Sequence, residues 1–99
     1  MSHPVSVVAR FAPRAEKRSE LQALLERMVA PTRSEAGCRI YNLYEASAHG
    51  DLVLIERYDD LAALEHHRTS KHYRDYRAEL SPLLASPVSV TVLAPLDEA

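Results

Sequence analysis

With 99 residues the chain has room for one domain and one core, and it buries only roughly 60–70% of its unfolded surface, so a second domain is excluded and a partner subunit would help. Its 12 Lys and Arg against 14 Asp and Glu give a net charge of −2, and the two signs alternate along the sequence instead of forming a basic stripe, which argues against nucleic acid as a partner. The single cysteine, Cys38, excludes an internal disulfide and a thiolate metal site, and the lack of a basic-then-apolar leader or of any apolar run near ~18 residues points to a cytoplasmic protein without membrane contact.

The first element is Val5-Ser6-Val7-Val8-Ala9-Arg10-Phe11. It is rich in β-branched residues and stops at Ala12-Pro13, where proline lacks the N–H that a ladder needs. This predicts a strand with Val5, Val7, Ala9 and Phe11 on one face. From about Arg14 the period changes. Leu21, Leu24, Leu25, Met28 and Val29 fall at i, i+3, i+4, i+7 and i+8, the apolar stripe of an amphipathic helix. Pro31 is expected to kink or end this helix, with Thr32 to Glu35 available for one more turn and Gly37 for a left-handed or tight-turn position.

Arg39 to Glu45 and Leu52 to Tyr58 read as a second and a third strand, joined as a hairpin across Ala46 to Asp51, where Gly50 can take a positive φ. Asp59 or Asp60 is then expected to cap a helix beginning at Leu61 and Leu64. Thr69 or Ser70 caps a further helical piece carrying Tyr73, Tyr76 and Leu80. Pro82 and Pro87 bracket a linker, and Val88 to Leu93 alternates as a fourth strand. The order β-α-β-β-α-β is the split, ferredoxin-like arrangement: an antiparallel four-stranded sheet with both helices on one face. In the third strand Val53 and Ile55 oppose Leu52 and Leu54, so both faces are apolar. A homodimer packing sheet on sheet is the economical cover.

The candidate chemistry gathers between Glu56 and Tyr76. Helical phase puts His67 on the side of Leu64 and sends His66 to water. His72 precedes Tyr76 by one turn, and Tyr73 and Leu80 mark the inward stripe. Glu56 lies one tight corner from the histidines. His67 and His72 are five apart, not the i, i+4 spacing that holds zinc on one helix face, so no metal site is predicted. The chain has only Gly37 and Gly50, which leaves no phosphate loop and no G-x-S-x-G elbow.

Three segments carry a family resemblance. Glu35-Ala36-Gly37-Cys38-Arg39-Ile40-Tyr41 resembles the E-P-G-C-x-x-Y segment of the antibiotic biosynthesis monooxygenase domain family, with Ala36 in place of proline. Glu56-Arg57-Tyr58 is similar to that family's E-R-W/Y strand end, and His67 to Tyr73 to its H-x-x-S/T-x-H-F/Y turn. The resemblance implies one domain over residues 1–99, with a core from about 4 to 95, and a dimeric ferredoxin-like fold forming a dimeric α/β barrel. Family members include cofactor-free quinol or anthrone monooxygenases, haem-degrading enzymes and isomerases. The haem-degrading pattern of a first-strand Asn with a Trp is missing, since the chain has no Trp.

The expected function is therefore a monooxygenase without cofactor, using O₂ on a small aromatic or quinol-like substrate. His67 is the candidate base, His72 and Tyr41 orient or donate, Glu56 tunes an imidazole, and Arg57, Tyr73 and Tyr76 contact the substrate. Imidazole, with a pKa near ~6.5, accepts a proton at neutral pH without extreme tuning. The alternatives are an isomerase or tautomerase of a small oxygenated metabolite, and a non-catalytic dimeric ligand-binding domain.

Overall fold

The computed structural model describes residues 3–47 and 50–99. Its elements are β1 (Val5–Phe11), α1 (Arg18–Arg33), β2 (Cys38–Glu45), β3 (Leu52–Tyr58), α2 (Leu61–Thr69), α3 (Lys71–Leu80) and β4 (Ser89–Leu93), with short 3₁₀ turns at Ala15–Lys17 and Ser81–Leu83. The sheet runs β2-β3-β1-β4 with every neighbouring pair antiparallel. This is the predicted ferredoxin-like α+β order. No helix among the described residues is long and apolar enough to cross a membrane.

The expected barrel is not formed. β2 and β4 are free edges of an open sheet; closing a β-barrel around packed side chains takes roughly eight strands, and this chain supplies four.

Period-two alternation divides the sheet into a covered and an open face. On the covered face β3 places Leu52, Leu54, Glu56 and Tyr58, all buried, beside Val7, Ala9 and Phe11 of β1. α1 lays Leu21, Leu24, Leu25 and Met28 against them, as its stripe predicts. On the open face Ile40 and Tyr44 are exposed, and Val8, Val53 and Ile55 are half-covered. β4 differs from the other strands because the helices do not reach it: Val90 and Val92, which pair with Ala9 and Val7 on the covered side, remain 46% and 45% exposed.

Two local expectations are narrowed. α1 continues through Pro31 to Arg33; so near the C-terminal end a proline removes one helical N–H bond without stopping the last turn. Gly37 takes the tight-turn alternative and not the left-handed one, since Gly50 (φ 72°) is the one described residue with positive φ. Gly37 is needed for space instead, because a Cβ there would lie 2.5 Å from the Ala63 Cβ. The hairpin closes with Ala46 N–H donating to the Asp51 carbonyl at 2.8 Å; Ala48 and His49 within it lie outside the described residues.

Candidate active site

The site is assembled from three segments that meet above the β3–β1 end of the covered face. On β3, Glu56 is flanked by Tyr41 of β2 and Val7 of β1, its direct cross-strand neighbours. Tyr58, two residues along and on the same face, donates its hydroxyl to Glu56 Oε1 at 2.6 Å. α2 is started by Asp60, which accepts from the Ala63 N–H at 2.8 Å, and its inward residues are Leu64 and His67. His66 is exposed, as its phase requires.

The chain breaks helix at one residue. Ser70 is extended (φ −69°, ψ 155°) and serves as C-cap of α2 and N-cap of α3, its Oγ accepting from the Tyr73 N–H at 3.3 Å and donating to the His67 carbonyl at 2.6 Å. On an unbroken helix residues 67 and 72 would point about 140° apart. The break re-aims them, and both imidazoles meet one carboxylate oxygen: Glu35 Oε2 lies 2.8 Å from His67 Nδ1 and 2.6 Å from His72 Nε2.

Glu35 comes from the turn after α1, where its N–H donates to the Thr32 carbonyl (3.0 Å) and its own carbonyl accepts from Cys38 N–H (3.1 Å). The bare Gly37 lets this turn press on the first turn of α2, which carries the carboxylate to the histidines. Its other oxygen, Oε1, is buried without a hydrogen-bond partner among the described residues.

His67 sits in an aromatic cage. Its ring centroid is 5.1 Å from Tyr73, 5.4 Å from Tyr58 and 5.8 Å from Tyr41. It lines a narrow cavity of about 30 Å³ together with Tyr41, Glu56, Tyr73 and Tyr76, room for a water or two. Arg68, Arg77 and Val90 complete one side. Burial lowers the His67 pKa against the opposing pull of Glu35, which favours the neutral imidazole. Burial also raises Glu56 from 4.5 to about 7, although the Tyr58 hydroxyl works the other way. The Tyr41 and Tyr76 phenols are pushed up, by burial first, and stay protonated.

Of the residues singled out by sequence, His67, Glu56, Tyr41, Tyr73 and Tyr76 thus converge on one cavity, and His72 joins them through Glu35. Arg57 does not. It alternates onto the open face, where Glu98 holds it at 2.7 Å. Sequence reasoning passed over Glu35 as a site residue, although it opens the E-A-G-C segment, and it also passed over Arg68 and Arg77.

The family model "Antibiotic biosynthesis monooxygenase" matches residues 4–79, which include every one of these cavity residues except Val90. The chain belongs to this family. It is similar to Rv0793 of Mycobacterium tuberculosis, at 59% identity over 100% of this chain and 98% of that protein; the Rv0793 structure superposes with a TM-score of 0.95 over 97% of this chain and 98% of that one. The structure of PA3566 from Pseudomonas aeruginosa is 31% identical with a TM-score of 0.90, covering 98% of each chain. YcnE of Bacillus subtilis is 30% identical over 76% of this chain and 80% of its own length.

Proposed function

We propose that the protein is a cofactor-independent monooxygenase of a small aromatic or quinol-like substrate, with His67 as the base. One observation carries this reading: a buried imidazole has Nδ1 tied to a carboxylate and lines a cavity walled by phenols, with burial favouring its neutral form. Glu35 fixes the tautomer and stabilises the imidazolium that forms, as the acid of a His–acid pair does in other enzymes. Removing a phenolic or enolic proton makes the substrate electron-rich enough to reduce O₂. The substrate supplies all four electrons; one oxygen atom ends on it and the other leaves as water. Protonated Tyr41 and Tyr76 offer donors to the developing oxyanion, and Arg68 and Arg77 at the cavity wall offer positive charge to an anionic substrate, in place of the substrate contact expected of Arg57.

The cavity, at about 30 Å³, must widen to admit an aromatic ring, and its weakest wall is the half-exposed Val90 on edge strand β4. The same small volume favours, as a second reading, proton transfer within a compact oxygenated metabolite. Oxygen uptake with hydroquinones, dihydroxynaphthalenes and anthrones in chelator-treated buffer tests the first reading. Uptake that His67→Ala abolishes is expected; full retention in that variant overturns it. Anaerobic turnover selects the isomerase instead. The working form is proposed to be a homodimer, supported by the apolar open face, and a stable monomer in sedimentation at micromolar concentration would refute this.

A further inference from the structure

We infer that Glu35, His67 and His72 also form a site for one divalent transition-metal ion of the zinc class, and that an ion seated there silences the base. The binding half stands on its own; the silencing half rests on the reading of His67 given above.

The donor set comes first. Two imidazoles and a carboxylate are first-choice ligands for zinc, cobalt or nickel, and here one ligand atom from each residue lies within 4.8 Å of the other two. The three come from separate elements, the turn after α1, the end of α2 and the start of α3, so packing has already fixed their approach. The second observation is the orphaned oxygen. The Glu35 side chain is 8% exposed and its Oε1 has no partner among the described residues. A buried, unsatisfied carboxylate oxygen is costly, and a water completing the shell of an ion on Oε2 would satisfy it.

The geometry is close to what an ion needs. Bonds of ~2.0–2.1 Å in a tetrahedral site separate ligand atoms by about 3.3 Å. Glu35 Oε2 is now 2.8 and 2.6 Å from the two ring nitrogens and has only to back away by about half an ångström. The larger adjustment falls on His72, whose side chain is 25% exposed. This ring also provides the route in: it lines a surface groove of about 220 Å³ with Leu24, Met28, Asp75 and Glu79. The two acids there are engaged by Lys71 and Arg27 and do not compete as ligands.

Silencing follows from the tautomer. Without an ion, a neutral His67 that donates Nδ1–H to the Glu35 carboxylate keeps its lone pair on Nε2, the nitrogen left for substrate. A metal at Nδ1 takes that lone pair, so the ring's one proton must sit on Nε2, and a protonated Nε2 cannot accept from substrate. The ion is therefore an inhibitor of this site, not its cofactor.

The experiment uses the full chain, free of any polyhistidine tag and stripped with chelator. Cobalt titrated into it should give visible d–d absorption at one ion per chain, displaced by zinc, with micromolar or tighter affinity and a raised melting temperature in zinc. His72→Ala and Glu35→Gln, each checked for folding by circular dichroism, should weaken binding by about a hundredfold or more. Absent stoichiometric binding by the wild-type chain, or affinity unchanged in both variants, overturns the site. Zinc should also abolish oxygen uptake on any substrate found, with recovery on chelation; uptake that persists with the site full overturns the silencing alone. If no substrate is oxidised at all, the binding result still stands or falls by itself.

Discussion

The two ends of the covered sheet face are built on opposite terms. At one end Phe11, Leu21, Leu25 and Leu52 are essentially without solvent contact and present only hydrocarbon and one aromatic ring. At the other end, over the same sheet and under the same layer of helices, the buried groups are Glu35, Glu56, His67, Tyr41 and Tyr58. Burying such groups costs stability unless each finds a partner, and here one carboxylate serves two imidazoles while another relies on a phenol. The apolar end holds the fold together; the polar end spends part of that stability on chemistry.

The sharpest way to break this comparison is a matched pair of truncations. His67→Ala should lower oxygen uptake by about 10²–10⁴-fold, the usual worth of a positioned base, while the variant still melts cooperatively. Leu25→Ala should do the reverse, costing about 2–5 kcal/mol in denaturant unfolding through the cavity it leaves with turnover per folded molecule unchanged. If Leu25→Ala abolished turnover while folded, or His67→Ala unfolded the chain, the two ends would not be separable in this way.

How far the sequence alone reaches follows the same division. Whatever depends on local period was legible: the strand alternation that turns Glu56 inward, the α1 stripe, the caps at Asp60 and Ser70, and the phase that buries His67 and exposes His66. The same alternation sends Arg57 outward, so its place could have been read from its neighbour. What depends on tertiary approach was not legible. Glu35 lies 32 and 37 residues from the histidines it joins, and the spacing of His67 and His72 judged on an unbroken helix did not show that they meet, because Ser70 breaks that helix. The barrel expectation came from the resemblance, and four strands in one chain leave the sheet open.

Glu56 probes the cost of the polar end directly. Its carboxyl is raised from 4.5 to about 7 by burial, so between those values the folded protein holds a proton that the unfolded chain has released. Stability then falls as pH rises through this window, and with the group fully ionised the displacement is worth about 3 kcal/mol. Glu56→Gln keeps an oxygen for the Tyr58 hydroxyl and never ionises. Thermal melts should show it matching wild type near pH ~5 and exceeding it near pH ~8 by up to that amount. A difference independent of pH would mean that Glu56 is not buried as described.

Gly37 joins the two ends, and its substitution should give the smallest stability effect of the set. A Cβ at this position meets the Ala63 Cβ at 2.5 Å, well inside contact distance, and neither partner is the flexible end of a long side chain. The turn must therefore draw back from α2, at an overpacking cost of about 1–3 kcal/mol. Because Glu35 rides on the same turn, the displacement is passed to its bonds with His67 and His72 while the apolar end is left as it was. Gly37→Ala should then lose more turnover than its stability loss accounts for, and the metal affinity of the three-residue cluster should fall with it. Ala63→Gly in the same chain removes the opposing methyl and should restore both. If the double variant stayed inactive although stable, the glycine would matter for its backbone and not for the approach of turn and helix.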